Sequence, residues 1–184
     1  MKKALSFALA VFILFSTAFI IITTHNSTTN GYGMGGTIRW SEKTEDTCNE
    51  LFSHIDNDME KVKAIYSWVI FNIEYVGYNR PLVQSLDIDE TLEKKNGICF
   101  EQASVFTVFC RIQGIQCFNV DGRLYEDKSI AHTWNRFCID GQWYEIDITN
   151  DQTIYKKGSD RYYGIQPIES KNSPNAVYKI SNMY

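Results

Sequence analysis

Lysine and arginine nowhere gather into a stretch interleaved with aromatic residues, and the 184-residue chain carries a net charge of −4. The electrostatic footprint of a nucleic-acid binder is missing, so DNA and RNA are set aside as partners. Histidine is scarce, with three in the chain, and neither histidine nor cysteine shows the paired spacing of a metal site. No cofactor motif, internal repeat or low-complexity block occurs in the body of the chain, and no cofactor is expected. No cysteine closes the N-terminal apolar run, which removes support for lipid attachment there.

Apolar residues are plentiful. A hydrophobic fraction of 44% with 14% aromatics argues for one well-packed core. The N-terminus runs from Met1-Lys2-Lys3 into an almost wholly apolar stretch, Ala4 to Ile22, the charged start and greasy middle of an export signal. The run is nearly long enough to span a bilayer, so residues 1–22 read either as a cleaved signal peptide or as a retained membrane anchor. An extracytoplasmic protein, secreted or tethered by this segment alone, is expected. Residues 23–40, rich in Thr, Asn, Ser and Gly, read as a flexible linker. Residues 41–184 read as a single domain.

Within that domain the periodicity predicts a helix between Ser41 and Ile55 and a second from Met59 to Ile73, following the capping-type cluster Asp56-Asn57-Asp58. The stretch from Tyr75 to Leu92 reads as an irregular connection. A third helix is predicted from Cys99 to about Gln113, stopped by Gly114 and apolar around most of its circumference, the mark of a central buried helix. Beyond it the pattern becomes strand-like over Ile115–Val120, Thr133–Ile139 and Gln142–Thr149. Asp121-Gly122 and Asp140-Gly141 serve as turn signals. The tail from Asn150 to Tyr184 reads as loops with one or two short edge strands. The expected fold is α+β, with the Cys99 helix packed on an antiparallel sheet.

Three motifs carry chemistry: Asn96-Gly97-Ile98-Cys99-Phe100-Glu101, Ala131-His132-Thr133-Trp134-Asn135 and Trp143-Tyr144-Glu145-Ile146-Asp147-Ile148-Thr149. A thiol nucleophile needs a base, and the base needs a group that orients it. At the start of a helix the Cys99 sulfur would face unpaired backbone N–H groups and the positive end of the dipole, a setting that favours a thiolate. Gly97 permits a close approach, the Cys99 N–H is a candidate oxyanion donor, and Tyr75 is a candidate second donor. If Asp140-Gly141 form a two-residue hairpin turn, Ile139 pairs with Gln142 and Asp147 faces Trp134. His132 then lies one diagonal step from Asp147 on the same face. Trp134 and Trp143 read as packing residues. Cys48, Cys110, Cys117 and Cys138 read as small buried hydrophobes or as disulfide partners, with three connectivities open.

These motifs, in the order Cys, His, Asp, resemble the three signatures of the transglutaminase-like superfamily over about Glu60 to Thr149. The resemblance implies a papain-related core in which a helix presents Cys99 to an antiparallel sheet bearing His132 and Asp147. It also implies acyl-thioester chemistry on amide bonds, with hydrolysis (peptidase or amidase) and transfer to an amine both open. A peptide or protein substrate is implied, a cell-envelope polymer being one such class. The rival readings are a non-catalytic module that keeps the cleft only to bind such molecules, and a structural domain cross-linked by its cysteines.

Overall fold

In the computed structural model the chain divides into two units, Met1–Asn30 and Gly31–Tyr184. The structure describes residues 32–33, 36–77, 85–159 and 163–183, all in the second unit. The apolar segment 1–22 and the linker up to residue 31 lie outside the described residues. Among those described, no helix is long and apolar enough to cross a membrane. The last residues read as linker belong to the packed body instead. Ile38 is fully buried in the core, and Arg39 N–H donates to the Leu86 carbonyl at 2.7 Å.

Strands β1 (Tyr32–Gly33) and β2 (Gly36–Thr37) form a two-residue antiparallel ladder. Helices α1 (Glu42–Phe52) and α2 (Asp58–Asn72) follow, close to the predicted spans. Asn57 caps α2 by accepting from Glu60 N–H at 3.0 Å, and Val62, Ile65 and Val69 turn inward from it. The expected irregular connection is more ordered than its composition suggested. It begins with β3 (Glu74–Tyr75) and ends in α3 (Ile88–Lys94), whose N-terminus is capped by Asp87 and whose end is turned by Lys95 at φ 54°. Strand β4 (Asn96–Gly97) pairs in parallel with β3, placing Tyr75 across from Gly97.

Helix α4 (Cys99–Ile112) is the centre of the domain, with every residue from Cys99 to Cys110 buried. Phe109 meets Phe52 and Trp68 at ring distances of 5.8 and 5.2 Å on one side, and Phe106 meets Phe137 at 6.0 Å on the other. Gly114 ends the helix in the left-handed region at φ +79°, where a glycine has no Cβ penalty.

The sheet that α4 packs on has five antiparallel strands in the order β8-β7-β6-β5-β9. They are β5 (Gln116–Leu124), β6 (Ala131–Ile139), β7 (Gln142–Ile146), β8 (Gln166–Pro167) and β9 (Tyr178–Met183). Asp140 and Gly141 both take positive φ, 51° and 78°, as a type I′ hairpin requires, and Ile139 pairs with Gln142. Two expectations need correction. Asp121-Gly122 is not a turn but the middle of β5, with Asp121 paired to Thr133 and Gly122 to His132. β7 stops at Ile146, and Ile148–Lys156 form a helix, α5, where the sequence read strand and loop. The tail contributes a six-residue edge strand, β9, bonded to β5 across a bulge at Asp121/Gly122.

Gly122 marks a close approach rather than a bend. A Cβ there would lie 2.6 Å from the Trp134 ring and 2.9 Å from the Lys179 carbonyl oxygen. Gly122→Ala is expected to cost about 1–3 kcal/mol in urea unfolding through overpacking, with a weakened near-UV signal from the displaced Trp134.

Candidate active site

Cys99 is the first residue of α4, so its backbone N–H has no acceptor within the helix and its side chain sits at the positive end of the dipole. The residues before it are fixed by Glu101, whose buried carboxylate accepts from Ile98 N–H at 3.0 Å and Ser85 N–H at 2.8 Å. Gly97 is glycine for a local reason: a Cβ there would stand 2.5 Å from the Glu101 Cβ.

His132 is the second residue of β6, and Asp147 is the N-cap of α5. The β6–β7 ladder ends at Asn135 opposite Ile146. The carboxylate therefore stands just past the strand end, still within reach of the imidazole. Asp147 Oδ1 accepts from Asn150 N–H at 3.0 Å, while Oδ2 lies 2.7 Å from His132 Nε2. The Cys99 side chain lies close enough to the imidazole to favour its charged form. With Nε2 held by Asp147, the other ring nitrogen is the one left for sulfur. The structure thus brings Cys99, His132 and Asp147 together, with Cys99 6% exposed and the His132 and Asp147 side chains 9% and 7%. Burial pulls the His132 pKa down, but the Asp147 carboxylate and the Cys99 side chain more than reverse this and raise it to about 10. The ring is an imidazolium at neutral pH.

All five cysteines are free thiols. Burial pushes Cys48 up to about 12 and Cys110 well above the ordinary thiol range. Neither thiol has an imidazole partner of the kind Cys99 has.

Several supporting residues were missed in the sequence. Gln102, one turn after Cys99, accepts from Thr149 Oγ–H at 2.6 Å, which ties the start of α4 to the start of α5 and so to Asp147. Gln102 also donates to the Ile73 carbonyl at 2.8 Å. Gln152 donates to the carbonyls of Ile70 and Ile73 and accepts from Tyr75 N–H at 2.7 Å. Asn135, within the His132 motif, donates to the Ala103 carbonyl and to Thr107 Oγ, both at 2.9 Å, joining β6 to α4. Their signal was polarity at fully buried positions, which is stable only with partners. Tyr178 was also missed. It reaches the site from β9 and packs on His132 at a ring distance of 5.0 Å and on Trp134 at 5.4 Å. Trp134 is almost fully buried, in keeping with a packing role.

A helix presenting a thiol to an imidazole on an antiparallel sheet, with a carboxylate just past a neighbouring strand end, is the plan of a papain-related cysteine-enzyme core. Residues 45–148 match the family model described as "Transglutaminase-like superfamily", and the chain belongs to that superfamily. Among curated relatives, the kyphoscoliosis peptidase of Mus musculus is 30% identical over 115 residues, covering 55% of this chain and 17% of the relative. That of Homo sapiens is 29% identical over 119 residues, covering 57% and 18%. The chain therefore spans under a fifth of the length of these relatives. Among solved structures, a candidate cysteine protease from Cytophaga hutchinsonii superposes with a TM-score of 0.51 at 22% identity, over 77% of this chain and 49% of that one. The periplasmic domain of TgpA from Pseudomonas aeruginosa gives 0.51 at 18% identity, over 68% and 46%.

Proposed function

We propose that the protein is an extracytoplasmic cysteine-dependent acyl-transfer enzyme acting on peptide or side-chain amide bonds. One observation carries this reading: His132 lies 2.7 Å from the Asp147 carboxylate and within interaction range of the Cys99 side chain. In the proposed reaction the Cys99 thiolate attacks the amide carbonyl, and the Cys99 N–H faces the developing oxyanion. The His132 imidazolium then gives its proton to the departing amine, leaving a thioester on sulfur. Neutral His132 next takes a proton from water or from an acceptor amine, whose attack releases the acyl group and regenerates the thiolate–imidazolium pair. Asp147 holds the ring and stabilises its charged form. Hydrolysis is the favoured outcome, because so small a catalytic domain has little surface to hold two protein substrates at once. The charged and apolar N-terminal segment, residues 1–22, supports export of the catalytic domain 41–184.

Incubation with a peptide library, with and without an added amine, followed by acid quench and peptide mapping tests the reading. The expected result is a hydroxylamine-labile acyl adduct on Cys99, with products of cleavage, deamidation or amine incorporation. Iodoacetamide at neutral pH is expected to alkylate Cys99 at least about tenfold faster than the half-buried Cys138, since the thiolate is the reacting form. Equal labelling of the two thiols with no acyl adduct would instead support the non-catalytic binding module.

A further inference from the structure

A cavity of about 290 Å³ opens beside the His132–Asp147 pair, with Asp147 and Asn150 on one side and Tyr163, Lys171, Asn172 and Tyr178 around the rest. Its outer wall comes from residues 163–178, outside the stretch 45–148 that matches the family model. Two fully buried carboxylates pin that wall. Asp151, on α5, accepts from Tyr163 N–H at 2.9 Å and Gly164 N–H at 3.0 Å, and also from the Tyr66 hydroxyl. Glu145, on β7, accepts from Ser173 Oγ–H and from Asn175 N–H at 3.1 Å, and is itself paired with Arg136. The cavity is thereby pre-formed rather than a gap between loose segments, which lowers the ordering cost of filling it.

Its chemistry is that of an anion acceptor. Among the described residues Lys171 is the one cation in the lining, is exposed, and makes no ion pair. The Asp147 carboxylate at the inner end is already matched, by the His132 ring on one oxygen and the Asn150 N–H on the other. The side-chain amides of Asn150 and Asn172 add hydrogen-bond donors of no net charge. Tyr178 both lines the cavity and packs on His132, so a group seated there is one aromatic ring away from the reacting centre.

Resting on the acyl-transfer reading above, we propose that this cavity is a substrate subsite that takes an acidic side chain, Asp or Glu, located near the amide to be attacked, with Lys171 as the specificity-determining cation.

The test uses the full chain carrying Cys99→Ala, so that binding is read without turnover, and fluorescent peptides that differ only in Glu, Gln or Lys at one position, scanned along the peptide. At one register the Glu peptide is expected to bind about fivefold tighter than the Gln peptide, the scale of a single partly exposed ion pair. Lys171→Gln should erase the preference and Lys171→Glu should reverse it toward the Lys peptide. Both changes lie on the surface, and circular dichroism checks that the fold is kept. Equal affinities at every register, a preference that survives Lys171→Glu, or no binding of any peptide would overturn the subsite. Turnover of the unbiased library by the unmodified chain separates the two ideas. Cys99-dependent products alongside flat binding would sink the subsite alone, and a Lys171-dependent preference without any product would sink the enzymatic reading alone.

Discussion

Asp147→Asn is expected to lower kcat/KM by about 10³–10⁴-fold while keeping the native fold, its stability cost at neutral pH being the charge interaction lost beside His132. The carboxylate has two functions that this substitution separates. Through Oδ1 it caps α5 by accepting from Asn150 N–H, and through Oδ2 it holds His132 Nε2. Asparagine is as good an N-cap as aspartate, so the helix start and the local volume survive. What disappears is the negative charge that keeps the ring an imidazolium and sets which nitrogen faces sulfur. In a serine-protease triad the equivalent charge removal costs on the order of 10⁴-fold, with the wrong tautomer as the cause. Asp147→Ala would lose the cap as well, adding about 1 kcal/mol of destabilisation. Cys99→Ala sets the floor, with turnover falling to the uncatalysed level. Steady-state kinetics on any peptide found to turn over, beside urea unfolding of each variant, make the comparison. A loss under tenfold for Asp147→Asn would remove the carboxylate from the mechanism.

The meeting of these three side chains was legible because each sits on an element with a strong local signal. Gly97 and Glu101 flank the start of α4, and Asp140-Gly141 fixes the hairpin whose register sets His132 diagonal to Asp147. The sequence was misleading where a residue served a tertiary contact in place of its usual local one. Asp121-Gly122 has the composition of a turn, yet Asp121 accepts from Thr133 Oγ–H at 2.6 Å and Gly122 makes room for the Trp134 ring. Asp147 looked like a residue within a strand running to Thr149, because the apolar alternation of Tyr144–Ile148 continues past it. Its capping bond to Asn150 lies three residues on, in a stretch too polar to show helical periodicity. Helix α3 is short and acidic, and only the Asp87 cap and the left-handed Lys95 mark it. Tyr178 lay beyond sequence reasoning altogether, since its place over His132 depends on β9 returning to pair with β5 across more than fifty residues.

Raising the pH from 6.5 to 10 is expected to remove on the order of 5 kcal/mol of folding stability that traces to a single imidazole. His132 titrates near 6.5 in an unfolded chain and near 10 in the folded one. The folded state therefore binds its proton more tightly, and the full stabilisation is present below about pH 6.5. As pH rises above that value the unfolded chain gives up its proton while the folded one must keep it, so stability declines steadily until the folded ring itself deprotonates near 10. The span of about 3.5 pH units, at 1.36 kcal/mol per unit, sets the scale. The same deprotonation removes the acid that serves the leaving amine, so kcat/KM is expected to fall on the alkaline side with an apparent pKa near 10. Urea midpoints measured from pH 6 to 10.5 give the slope, and Asp147→Asn gives the control. Without the carboxylate, burial again dominates the ring and pulls its pKa down, so the alkaline decline in stability should shrink to a small residue. A wild-type curve that is flat over this range would mean that His132 is neutral in the folded chain, and the thiolate–imidazolium pair on which the proposed first step depends would be lost with it.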